Sequence, residues 1–158
     1  MIEDPFLLAK WLHILSATVL FGTGIGTAFQ MVWAMRTKDP KTIADVSSGV
    51  VVADWIFTTP AGIIQPLTGF WLIWQGGYDP FEMWLVVTYA LYIVAFLCWA
   101  PVVVLQILIR DLAREAVKKE LDMPARARRV YIWWFLLGWP AFMGLLGVYW
   151  MMVMKPGF

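Results

Sequence analysis

Four long apolar runs, each closed by a short polar break, divide the chain. The first extends from about Phe6 to Met35, and Asp4-Pro5 ahead of it supplies an N-cap and a first-turn proline. A polar turn, Arg36-Thr-Lys-Asp-Pro-Lys41, separates it from a second run over about 43–74, which stops at Gly76-Gly77-Tyr78-Asp79-Pro80. The third run covers about 81–109 and the fourth about 129–154. Each is longer than the roughly 20 residues that cross a hydrocarbon core, so tilt or projection beyond it is expected. Between the last two runs, residues 110–122 are charged but keep Leu112, Ala116, Val117 and Leu121 at helical spacing, with a Glu115–Lys119 pair. That pattern predicts the third span continuing out of the membrane as a helix, with Asp122 capping the fourth span and Pro124 in its first turn. A basic amphipathic stretch of this kind either stays solvated or binds anionic headgroups or a partner. The short connections predict an all-α, antiparallel four-helix bundle forming one transmembrane domain over 1–158.

Composition agrees. Of 158 residues 61% are hydrophobic and 15% charged, and the mean hydropathy is +0.72. A soluble domain this small has too little interior for so much apolar surface. A formal charge of +1 gives no bulk attraction to nucleic acid. The single cysteine, Cys98, excludes an intrachain disulfide and reads as a small apolar residue within the third span. Glu3 and Asp4 at the start, with no basic leader, predict a true first span rather than a cleaved signal. Arg36, Lys38, Lys41, Arg110, Arg114, Lys118, Lys119, Arg126, Arg128 and Arg129 all fall at one end, against Lys10 and Lys155 at the other. The positive-inside rule then puts both termini away from the cytoplasm, in a bacterial cytoplasmic membrane. Trp11, Trp71, Trp74, Trp84 and Trp150 at one end, and Trp33, Trp133 and Trp134 at the other, fall where aromatic belts belong.

Few residues inside the spans carry chemistry. Lys10 and His13 share a face of the first span, and His13 is the only histidine. An ionisable group at that depth is a functional-site candidate by default. It reads as a ligand or proton relay, or else as a structural histidine bonded to a neighbouring helix. One histidine does not give bis-histidine haem ligation within one chain. Haem b on His13 needs a methionine such as Met83, an open position or a second protomer. Asp54 in the second span requires a partner or a proton, and Gln30 and Gln106 fall at matching depth. Proton relay and interhelical bond are both open there. Pro60 and Pro66 each remove a backbone donor, so the second span is expected to be irregular. Gly22, Gly24 and Gly26 include a small-xxx-small pair, and Gly138, Ala141, Gly144 and Gly147 give span 4 a similar face, suited to close helix packing or to a flat macrocycle.

Leu8-Ala-Lys10-Trp-Leu-His13-Ile resembles the opening of span 1 in the HemJ protoporphyrinogen oxidases and CopD-like membrane proteins. Thr59-Pro60-Ala-Gly and Leu67-Thr-Gly69-Phe-Trp-Leu72 resemble the proline-bearing second span of HemJ. That resemblance implies haem b on His13, with Lys10 beside it. The lysine that HemJ places early in its third span has no counterpart in Trp84-Leu-Val-Val-Thr88. Trp99-Ala-Pro101-Val-Val, Gln106, Arg110-Asp-Leu-Ala113, Gly138-Trp-Pro140-Ala-Phe142 and Trp150-Met-Met-Val-Met-Lys155-Pro156 are similar to an uncharacterised family of bacterial integral membrane proteins, over nearly the whole chain. The leading expectation is a haem-b protein acting in electron transfer or oxidation of a lipophilic substrate. The alternatives are a non-enzymatic subunit or assembly factor of a larger complex, and a small oligomeric transporter using Asp54. All place the chain in a lipid bilayer beside further copies or another membrane protein.

Overall fold

The computed structural model describes residues 4–157; Glu3 lies outside them. The described residues form helices joined by short turns, with no strand among them. Helix α1 spans Pro5–Thr37 and α2 spans Pro40–Ala53. A π-helical turn, Asp54–Thr58, joins α2 to α3, Thr59–Gly76, and these three form one continuous rod. Helix α4 spans Met83–Lys119 and α5 spans Ala125–Met154. The four rods are long and apolar enough to cross a membrane. The 33 residues of α1 extend about 50 Å, well beyond a hydrocarbon core of about 30 Å.

The helix ends follow from local chemistry. The Asp4 carboxylate accepts from the Phe6 N–H at 2.8 Å, and the Asp39 carboxylate accepts from the Thr42 N–H at 2.8 Å. Each occupies an N–H that the first turn leaves unpaired. Gly77, at φ 67°, closes α3 in the left-handed conformation that only glycine adopts without strain. The charged stretch continues α4 unbroken to Lys119. Helix α5 starts earlier than its apolar run, at Ala125, and Asp122 does not cap it. Pro124 holds that place, with no side-chain bond, because its fixed φ suits a helix start while its ring supplies no acceptor.

Packing is uneven along the rods. At the end carrying most of the basic residues, Met31, Ala34, Ile43, Val50, Val102, Ile109, Ala113, Val130 and Trp134 form a buried apolar cluster drawn from α1, α2, α4 and α5. Towards the opposite end α3 packs on α1, and α4 on α5. Gly144 and Gly147 allow the second of these approaches. A Cβ at Gly144 would lie 3.1 Å from the Leu91 carbonyl oxygen, and one at Gly147 would lie 2.8 Å from the Leu91 side chain. Long side chains join the two pairs: Phe21 stacks on Phe142 at 5.3 Å, and Phe70 meets Tyr89 at 5.7 Å.

Candidate functional site

Two clusters of polar side chains occupy the interior of the bundle. The first is built on the π-helical turn. Pro60 has no N–H to give to the preceding turn, and just before it the ladder widens, with the Thr59 N–H reaching back to the Asp54 carbonyl. Asp54 and Thr58, four apart, are both buried. One carboxylate oxygen of Asp54 accepts the Thr58 hydroxyl at 2.8 Å, and the other accepts the Gln106 amide from α4. The Gln106 carbonyl oxygen in turn accepts the Trp134 indole N–H from α5 at 3.4 Å. Both oxygens of Asp54 are therefore held by neutral donors, and the chain of bonds ties the second rod to α4 and α5. Gln30 takes no part; it lies exposed on α1. Trp134 is buried at 6% exposure, and Trp84 at 7%. Neither joins the aromatic belt expected at its end of the bundle. Each indole N–H instead has a protein acceptor, Glu82 serving Trp84.

The second cluster joins α1 to α3. The Thr68 hydroxyl donates to the Ile64 carbonyl at 2.7 Å, so its oxygen is left to accept from His13 Nδ1 at 2.8 Å. With the ring proton on Nδ1, Nε2 is the acceptor, and the Gln65 amide donates to it at 3.2 Å. The Gln65 carbonyl oxygen accepts the Ser16 hydroxyl at 2.5 Å. These bonds fit the neutral imidazole and leave neither nitrogen free. Gly69 permits the approach, since a Cβ there would lie 3.2 Å from His13 Cε1. Lys10 is exposed and adds no bond to this cluster. Met83 is 55% exposed and lines a surface depression with Tyr78, Glu82, Trp84 and Lys155, a group that does not include His13. An axial bond from His13 to haem iron would displace Gln65 from Nε2. The side chains as they stand do not fit that group, and among the described residues no three His, Cys, Asp or Glu side chains gather as a metal site.

A third contact links the rods between these clusters. Pro66 cannot donate to the Gly62 carbonyl four residues back, and Tyr92 of α4 supplies the missing donor, Oη to Gly62 oxygen at 2.5 Å. Tyr89, one turn away, has a buried hydroxyl with no partner among the described residues.

Residues 7–156 match the family model of a predicted integral membrane protein, DUF2269. The chain belongs to that family. No curated protein and no solved structure matches it. Membership in DUF2269 agrees with the four apolar rods and says nothing of a reaction, and the likeness to HemJ rests on the span-1 and span-2 motifs alone. Within this DUF2269 chain the sequence marked His13, Asp54 and Gln106, while Ser16, Gln65, Thr68 and Trp134 went unmarked as their partners. One signal was available: Ser47, Asp54, Thr58, Gln65 and Thr68 recur at heptad-like intervals along the second rod.

Proposed function

We propose that this chain is a non-enzymatic membrane subunit that works assembled with further copies of itself. The observation that supports this reading is the bonding of the two interior ionisable groups. Both nitrogens of His13 and both oxygens of Asp54 are taken up within the chain. Groups bonded in this way across helices hold those helices in place. The small-residue pair Gly22 and Gly26, one turn apart on α1, suits association, because a Cβ at either would meet nothing within 4 Å.

The deciding experiment is a pair of oxidised and reduced visible spectra, with a pyridine haemochrome assay, on protein purified in mild detergent from haem-replete cells. A colourless protein that cross-links to itself in its native membrane, and loses those cross-links in Gly22→Leu/Gly26→Leu, is the expected result. A stoichiometric b-type signal that disappears in His13→Ala would overturn it. That outcome would establish the competing reading, in which His13 binds haem b for electron transfer or oxidation of a lipophilic substrate. The same proposal places the basic end in the bacterial cytoplasm, on the strength of its ten lysines and arginines. An alkaline phosphatase fusion at the C-terminus should then be active, and an inactive fusion would reverse the orientation.

A further inference from the structure

At the basic end, α2 and α4 diverge around a groove of about 470 Å³ lined by Lys41, Asp45, Ser48, Arg114, Val117 and Lys118. Three of these are cations and one is an acid, so the groove carries a net positive charge. Arg114 is held across it by a bond from Nη2 to Ser48 Oγ at 2.9 Å. The ion pairs at this end lie elsewhere. Arg110 binds Asp111 at 2.8 Å and Lys119 binds Glu115 at 2.6 Å. Among the described residues Lys41, Arg114 and Lys118 make no close ion pair. The helices thus pair off neighbouring charges and leave three cations facing one opening.

The depth of this opening fits a lipid headgroup. The apolar run of α4 ends at Ile109, and Arg114 is just over one turn beyond it. On α2, Ser48 lies two turns, or about 10 Å, from Trp55, which is 61% exposed. Arg114 is the second cation past the end of the apolar run of α4, which puts the Ser48–Arg114 bond at its polar edge, where headgroups lie. Four and seven residues along from Ser48 on the same face stand Val52 and Trp55, both exposed. A polar, cationic mouth therefore continues into an apolar track. Free phosphate would use only the first of these, whereas a phospholipid uses both.

We propose that this groove binds the phosphate of an anionic phospholipid from the leaflet at the basic end, with an acyl chain along Val52 and Trp55. The assignment stands whether or not the chain assembles with copies of itself. Binding is measured on the full chain in mixed micelles by native mass spectrometry, with phosphatidylglycerol as probe and phosphatidylcholine as control. Wild type is expected to favour phosphatidylglycerol at least tenfold. Each cation that faces the bound phosphate contributes about fivefold, so Arg114→Gln/Lys118→Gln should weaken phosphatidylglycerol about 25-fold. Arg126→Gln/Arg128→Gln removes the same charge from the same end outside the groove and should change binding less than twofold. Lys118 makes no side-chain bond among the described residues, so Lys118→Gln alone, with a fivefold loss, decides the matter if the double variant fails to fold. Equal binding of the two lipids, equal losses in the two double variants, or displacement of phosphatidylglycerol by equimolar inorganic phosphate would each overturn the proposal.

Discussion

The two interior polar clusters use similar groups in different settings. Asp54 is tied to Gln106, and through it to Trp134, beside the buried apolar cluster of α1, α2, α4 and α5. His13 is tied to Gln65 and Thr68 in a half-buried seam between two helices that face lipid on their other sides. An unpaired polar group costs more where neither water nor a mobile neighbour can replace the lost partner. The Asp54 cluster is therefore the stricter of the two, with the higher cost of error. The His13 cluster tolerates repair better, since it is only half-buried and a shifted neighbour can replace a lost bond.

The sharpest break in this comparison is Gln106→Leu. It leaves one oxygen of a buried carboxylate without a donor and should cost about 2–3 kcal/mol, read as a lower midpoint in a denaturant titration of detergent-solubilised protein. Asp54→Leu/Gln106→Leu should recover part of that loss, because it removes the orphaned carboxylate while the Trp134 N–H and the Thr58 hydroxyl still lose their acceptors. A double variant as unstable as Gln106→Leu would show instead that the carboxylate itself holds the turn. Gln65→Leu removes the bonds to His13 and Ser16 and should cost less, about 1.5 kcal/mol in the same titration. An equal or larger loss than at Gln106 would erase the distinction between the clusters.

Tyr92→Phe tests the link between them. It strips the donor from the Gly62 carbonyl and should cost about 1 kcal/mol. The same change in a Pro66→Ala background should cost measurably less, since alanine in place of the proline returns a helical N–H to that carbonyl. Equal costs in both backgrounds would mean the Tyr92 hydroxyl does not serve the proline's orphan. The smallest expected effect lies at the start of the second rod. There the Thr42 hydroxyl and N–H hold the Asp39 carboxyl below its ordinary value of 3.8. A folded value lower than the unfolded one stabilises the fold above the unfolded value, and the gain is lost as pH falls through the folded value. Asp39→Ala should therefore lower the melting temperature at pH 7, and the gap to wild type should close below about pH 4. A gap independent of pH would remove the carboxylate from the account.

How much was legible in the chain differs between these regions. The apolar runs carried four spans, because a membrane demands long uninterrupted stretches and the breaks between them are short and polar. Membership in a membrane family over residues 7–156 agrees with that reading. Pro60 announced an irregular second rod, and the Asp54–Thr58 turn is that irregularity. Asp54 and Gln106 stood out as polar residues in apolar surroundings, and they meet. Gln30 stood out equally and does not, since a partial rotation about the helix axis separates an inward from an outward position and sequence depth says nothing of rotation. Trp84 and Trp134 were placed in belts by depth for the same reason, although both turn inward.

The sequence by itself determined the helices, the cap at Asp4, the break at Gly76-Gly77, and the gathering of cations at one end. These follow from local backbone chemistry and from the solvent each residue type prefers. Only the tertiary structure decided which side chains meet the two nitrogens of His13, which helix supplies a donor to the Gly62 carbonyl, and which cations share a groove. Each of those depends on the angle at which one rod faces another, and that angle is fixed by interdigitating side chains such as Leu91 against Gly144 and Gly147. No residue encodes it alone.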